Sequence, residues 1–488
     1  VVVNAGTSLS DNSSDLLGYG GPIRDTGVPN VFNVFDLDNA KKRATQEGWE
    51  EMTQSIFASA EIGWKSMLYL TLTGRNDWAS QLKGSNPTSF FYPSVGLSAV
   101  ISEMVTLPKA IDYLKVRGSF SAVGTPYPRF LVQPTYSYDP TKQDWNAKTH
   151  YPIGKLKPER TDSWEIGVDG TFFKDFKVSG SFYYANTYNQ TFDPKITVSS
   201  GYSTLYVQTG YVRNLGVEGL LSYGHTWRDF GWNSNFTFSW NKNKIVELVK
   251  DYVHPETGEI VNKDRLELKG LGYTKFMLKE GGTLGDLYTN ADFIRDDKGY
   301  IQIDKNGDVA KTVNLPDIKL GSVFPKANLA WNNSFSYKGI YAGFQLSARL
   351  GGIVYSATQA ALDQYGVSEA SAAARDRGGV LVNGRSWVNA QQYYEIVATS
   401  SGLPQYYTYS ATNLRLQEAH IGYTIPRKWL GNICDINVSV VGRNLWMIYC
   451  KAPFDPEAIA TTSNFYQGID YFMMPSTRNF GFNVKINF

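Results

Sequence analysis

The sequence predicts an all-β fold, a transmembrane antiparallel β-barrel with about fourteen strands in this chain. Three observations predict it: period-2 alternation in segments of 10–15 residues, a chain rich in aromatics but poor in charge, and a regular alternation of short and long connections. The 488 residues include 32 Tyr, 26 Phe and 12 Trp, while charged residues are only 19%, against roughly 25% in soluble domains. Glycine, at 45, is also abundant and suits a chain with many turns. Lys+Arg is 47 against Asp+Glu at 45, a net of +2, which argues against nucleic acid as a partner. The longest purely apolar run, Leu445 to Cys450, is six residues. A membrane-spanning helix needs about 18, so helical spans are excluded.

Reading from the N-terminus, a weak strand candidate lies near 1–9, followed by strands near 51–62, 65–77, 89–102 and 113–122. Leu68, Leu70 and Leu72 alternate with Tyr69, Thr71 and Thr73, and Leu114, Val116 and Phe120 with Lys115, Arg117 and Ser119. The next strands are near 162–172, 176–190, 212–226 and 231–243; Trp164, Ile166 and Val168 share one face, as do Phe236, Phe238 and Trp240. Strands near 326–337, 340–353, 413–425, 434–446 and 479–488 complete the set. In the last, Phe480, Phe482, Val484, Ile486 and Phe488 fall opposite Gly481, Asn483, Lys485 and Asn487, and Phe488 is the expected barrel-assembly signal.

A sandwich-core strand alternates in the same way, so no single strand decides the fold. Length does better: globular strands average about 5–6 residues, and a tilted membrane strand needs roughly 9–11. The connections are more telling. Short ones fall at 63–64, 103–112, 173–175, 227–230, 338–339 and 426–433; long ones fall at 10–50, 78–88, 123–161, 191–211, 244–325, 354–412 and 447–478. Every long connection therefore leaves on one side, as in barrels with short periplasmic turns and long extracellular loops. Strand counting leaves open a complete fourteen-stranded barrel or the C-terminal part of a larger one. Val1-Val2-Val3-Asn4 lacks a signal-peptide pattern, and the chain reads as a mature or truncated product. Cys434 and Cys450 are separated by a strand of roughly 40 Å at ~3.3 Å per residue, so both are expected unpaired.

Short motifs then recur in order: Arg75-Asn76-Asp77-Trp78, Phe91-Tyr92-Pro93-Ser94-Val95-Gly96, Leu114-Lys115-Val116-Arg117-Gly118-Ser119, and Leu156-Lys157-Pro158-Glu159-Arg160-Thr161 running into Trp164-Glu165-Ile166-Gly167. Asn214-Leu215-Gly216-Val217-Glu218, Leu414-Arg415-Leu416, Gly442-Arg443-Asn444-Leu445-Trp446 and Phe454-Asp455-Pro456-Glu457 follow. In this collinear set the chain resembles the SusC/RagA family of TonB-dependent outer-membrane transporters of Bacteroidetes. The resemblance implies a 22-stranded barrel with a plugged lumen, of which residues 1–488 would be the C-terminal part, lacking plug, signal peptide and TonB box. It also implies several partners: a SusD-like surface lipoprotein as lid, TonB–ExbB–ExbD as energy source, the missing N-terminal plug and barrel half, a second transporter pair forming a dimer, and membrane lipid. The implied activity is active import of oligosaccharides or oligopeptides.

Catalytic patterns are scarce. The four histidines (His150, His225, His254, His420) form no close pair, and no nucleophile elbow, P-loop or C-x-x-C occurs, so the chain does not read as an enzyme. No cofactor is expected. Asp304, Asn306 and Asp308 have the oxygen spacing of half a Ca²⁺ loop, but position twelve is Leu315, and a glycine-containing turn explains the run as well. Loop aromatics are the better lead, because aromatic faces bind sugar rings and apolar peptide side chains. Tyr136, Tyr138, Trp145 and Tyr151 lie in one loop, and Tyr365, Trp387, Tyr393 and Tyr394, with Tyr406 and Tyr407, in another; packing among the loops is the competing role. The Ala-rich stretch from Thr358 to Arg375 is expected to form a short helix used in gating or partner contact. A complete passive fourteen-stranded pore and a surface β-rich binding or adhesion protein are the alternative functions.

Overall fold

In the computed structural model the described residues are 1–25, 31, 33–85, 87–131, 137–139, 144–146, 156–192, 207–253, 258, 260–268, 270–462 and 467–487. Fourteen strands form one antiparallel sheet in chain order. They are β1 Val2–Gly20, β2 Arg43–Trp64, β3 Leu68–Ala79, β4 Phe90–Val100, β5 Ile111–Thr125, β6 Glu159–Phe172, β7 Phe176–Phe192, β8 Val207–Trp227, β9 Phe230–Glu247, β10 Ala327–Tyr337, β11 Ile340–Leu350, β12 Asn413–Ile425, β13 Asp435–Cys450 and β14 Asn479–Asn487. Each pairs only with its sequence neighbours, the signature of an up-and-down barrel wall. The fourteen expected strands are all present, including the weak first one.

The first hairpin corrects the expected 10–50 loop. Val2 to Gly20 pairs without a break against Glu61 to Arg43, leaving only 21–42 as connection. The Ser/Asn/Asp-rich run Ser8 to Asp15 hides this strand, because those residues have low strand propensity and no apolar alternation. Backbone pairing to the regular partner strand overrides that weak local preference.

Short turns close one end of the wall. Between β10 and β11 the turn is Lys338-Gly339, both at positive φ (47° and 90°), the geometry that lets a two-residue hairpin follow strand twist. Near this end, outward rings form a ladder: Phe176 to Tyr223 at 4.6 Å, Tyr223 to Trp232 at 5.1 Å, Trp232 to Phe335 at 6.4 Å and Phe335 to Phe344 at 6.4 Å. Such a belt marks one membrane interface. Above it the outward face carries Phe182, Val217, Ile166 and Phe236, all exposed because lipid is their solvent.

The larger buried core lies mostly outside the wall, which adds Val212 and Ile245 to it. It lies in a lobe made by connections 248–326 and 351–412 on the long-loop side, around Phe276, Leu278, Leu287, Val323, Val354 and Leu403. These stretches, expected as loops, contain short strands such as Lys275–Lys279 and Asp286–Thr289. They also contain helices: after α1 (Ile101–Met104) come α2 Ala357–Gln364, α3 Glu369–Asp376 and α4 Ala390–Val397. Ser356, Ser368 and Asn389 cap the last three through their side-chain oxygens, which places the expected Ala-rich helix and splits it at Gly366.

Candidate functional site

Two surfaces are built for function: the inward face of the wall and the lobe above it. Inward-facing side chains on β2 to β7 carry ion-pair networks. Arg75 donates Nε to Asp77 Oδ1 at 2.7 Å and Nη2 to Ser55 Oγ at 2.8 Å, while the Tyr92 hydroxyl donates to Asp77. Arg117 bridges Asp169 at 3.0 Å and Glu165 at 3.1 Å, and Ser179 Oγ donates to Asp169 at 2.6 Å. The Arg75-Asn76-Asp77-Trp78 and Leu114-to-Ser119 motifs are thus alternating strand text: Arg75, Asp77, Lys115, Arg117 and Ser119 line the lumen, while Asn76, Trp78, Leu114 and Val116 take the outward face.

The last long connection, 451–478, is tied to the wall at one point and to the lobe at another. Arg415, on β12, makes a two-pronged pair with Asp455 (3.1 and 2.8 Å), and Asn413 Nδ2 donates to Glu457 Oε1 at 3.1 Å. Both Arg415 and Asp455 side chains are more than nine-tenths buried. Burial alone would raise the Asp455 pKa, but hydrogen bonds from Arg415 and the Glu457 amide hold it below the usual carboxylate value. At the second point, Ser356 Oγ and Thr358 Oγ1 donate to the buried Asp470 at 2.5 and 2.9 Å. This joins α2 to the last long connection, and the Phe472 amide donates to Thr358 Oγ1 at 2.7 Å.

Within the lobe Tyr407 donates to Asp363 Oδ2 at 2.9 Å. Burial, reinforced by the Asp363 charge, pushes the Tyr407 hydroxyl far above its ordinary value. Burial also pushes Tyr355, Tyr393 and Tyr409 up to about 12. Their neutral forms belong to the folded lobe, so the associated stability is intact below pH ~10 and is lost as pH rises from there toward about 12. Tyrosinate absorbance is expected to appear together with loss of amide protection in 351–412, while the wall stays paired. Simple ionisation near pH 10 with the lobe still protected would contradict this.

The aromatic candidates divide by position. Tyr136, Tyr151 and Phe488 lie outside the described residues. Tyr138 and Trp145 face each other edge-on at 5.3 Å across a small hairpin, Ser137–Asp139 against Asp144–Asn146. Tyr365 is 75% exposed and Trp387 57% exposed. Tyr393 packs against Phe293 at 6.2 Å and Tyr394 at 5.4 Å, and Tyr406 meets Phe293 at 5.3 Å. Tyr365 and Tyr394 are brought together in one cavity of about 310 Å³, shared with Gln364, Arg375, Gln391 and Glu395. Sequence reasoning placed Gln364 and Arg375 only within the Ala-rich stretch assigned to gating or partner contact, and it missed Gln391 and Glu395. Their signal was the helical spacing of α3 and α4, which turns Arg375 and Glu395 toward the same space.

At Asp304 the Oδ1 atom accepts from the amides of Asn306 (2.8 Å) and Asp308 (3.0 Å), closing a turn with Gly307 at φ 88°. No cluster of three His, Cys, Asp or Glu suited to a metal occurs among the described residues. Cys434 and Cys450 are free.

Known proteins share this architecture. The RagAB peptide importer in its open-open state superposes with a TM-score of 0.73 at 16% identity, covering all of this chain and 52% of that one. TonB-dependent receptor P3 of Formosa agariphila is 24% identical over 464 residues, covering 88% of this chain and 45% of its own length. TonB-dependent receptor SusC of Bacteroides thetaiotaomicron is 22% identical over 415 residues, 77% of this chain and 38% of its own length. The chain therefore spans about half the length, or less, of the relatives it matches. Residues 3–445 match the family described as TonB dependent receptor-like, beta-barrel. By that match over nine-tenths of its length, the chain belongs to the TonB-dependent receptor β-barrel family and is an outer-membrane protein.

Proposed function

We propose that this chain is the C-terminal barrel portion of a SusC/RagA-like transporter that actively imports oligosaccharides or oligopeptides across the outer membrane. Family membership over residues 3–445 carries the reading. In it, TonB–ExbB–ExbD supplies energy, a SusD-like lipoprotein closes over the lobe, and a plug and further strands complete the barrel. Two such assemblies pair. The wall acts as scaffold and conduit, the inward ion pairs present a polar lining, and Tyr138, Trp145, Tyr365 and Tyr394 contact cargo at the mouth.

The open sheet supports a larger barrel over a fourteen-stranded pore. Among the described residues no pairing joins β1 to β14, so both edges are bare. In lipid each unpaired backbone group costs several kcal/mol, and a spanning sheet must close. The test is uptake of labelled oligosaccharides and oligopeptides by cells carrying the intact transporter, with and without functional TonB. Accumulation that needs both this protein and TonB is expected. Equal uptake without TonB would overturn active import.

A further inference from the structure

We infer that the outward face of β6 to β9, at its long-loop edge, is a binding site for an outer-leaflet lipid whose phosphorylated headgroup carries net negative charge. The inference rests on membrane placement and not on the transport reading. Register fixes the face: Trp164 lies opposite Tyr184, Phe182 opposite Val217, and Val217 opposite Trp240, so these side chains point to lipid. On β8, the climb from Tyr223 in the lower belt to Arg213 is roughly 33 Å along the strand, about 25 Å along the membrane normal at a ~40° tilt. That is the height of a barrel's apolar band, so Arg213 stands at headgroup level.

At that level the outward positions turn basic. Arg213 sits directly opposite Lys244, and the neighbouring outward position, Leu215, is opposite Lys242. Like charges directly opposed across strands destabilise a sheet unless an anion lies between them. The two outward carboxylates nearby are already committed, Asp162 to Arg160 at 2.7 Å and Glu247 to Lys250 at 3.6 Å. Among the described residues Arg213, Lys242 and Lys244 make no ion pair.

The guanidinium is also held in place. Arg213 Nε donates to Asn186 Oδ1 at 3.3 Å and its Nη2 to the Tyr211 hydroxyl, and it lies over the Tyr184 ring at 5.1 Å. Tyr211 is itself stacked on Tyr188 at 4.9 Å. A fixed arginine flanked by two exposed lysines, over an aromatic floor that continues into the apolar band, matches a phosphorylated headgroup with its acyl chains lying below. Inorganic phosphate would use the cations but leave the apolar floor unused.

The test is native mass spectrometry of the intact detergent-extracted transporter, offered an outer-leaflet lipid with a net-negative phosphorylated headgroup, a zwitterionic lipid, or inorganic phosphate. Selective retention of the net-negative lipid is expected. It should fall about a hundredfold in the Arg213→Gln, Lys242→Gln, Lys244→Gln triple variant, from roughly fivefold per cation. Lys242→Arg with Lys244→Arg, which keeps the charge, should retain wild-type binding and controls for misfolding of the triple variant. Equal retention of the zwitterionic lipid, displacement by inorganic phosphate alone, or a polypeptide covering Tyr188 and Arg213 would each overturn the site.

Discussion

Replacing Arg415 with alanine is expected to release the 451–478 connection from the top of the wall at a cost of about 3–5 kcal/mol. The size follows from what stays behind. Asp455 would remain buried with its charge, and its partner would be gone. Hydrogen exchange on the intact detergent-solubilised transporter should show amides around Asp455 to Glu457 exchanging roughly a hundredfold faster or more, with β12 and β13 still paired. Unchanged protection would show that the Ser356–Asp470 tie alone holds the connection. Removing both charges, with Arg415→Met and Asp455→Leu, should cost much less, because neither ion is left without a partner.

The same pair sets an acid limit. The Asp455 carboxyl is depressed below its ordinary value of 3.8 in the folded state. Its contribution is present above that value and disappears as pH falls through the lower folded one. The wild-type protein at low pH should therefore expose the same amides that Arg415→Ala exposes at neutral pH.

Phe276→Ala carries the second large effect, also about 3–5 kcal/mol, and confined to the lobe. Phe276 is among the largest fully buried side chains and packs with Leu268, Leu278, Leu284 and Leu287. Truncation leaves a cavity at the centre of the short strands Lys275–Lys279 and Asp286–Thr289. Proteolysis within 264–322 should accelerate sharply while the wall remains resistant. A lobe that stays resistant would mean that its stability comes from the helices instead.

The legibility of this fold followed the physics of each region. Wall strands show in sequence because lipid outside and water inside impose strict alternation, as at Trp164-Glu165-Ile166-Gly167-Val168. The first hairpin was underread because Ser8 to Asp15 and Arg43 to Glu50 carry little apolar signal, and their pairing comes from the backbone. The lobe was read as loops because its core is assembled from residues distant in sequence, Leu266, Tyr355 and Leu403 among them. The Phe454-Asp455-Pro456-Glu457 motif was visible as text, but its purpose required the partner on β12, forty residues back. Likewise the basic outward patch at Arg213, Lys242 and Lys244 exists only once register places β8 beside β9.

The central claim is that this wall belongs to a larger closed barrel. The most direct measurement is the intact mass of the native protein extracted in detergent, under denaturing conditions, with N-terminal sequencing. The account predicts a species near twice 54.5 kDa that begins well upstream of Val1. A species of 54.5 kDa starting at Val1, with nothing co-purifying to pair with β1 and β14, would contradict it.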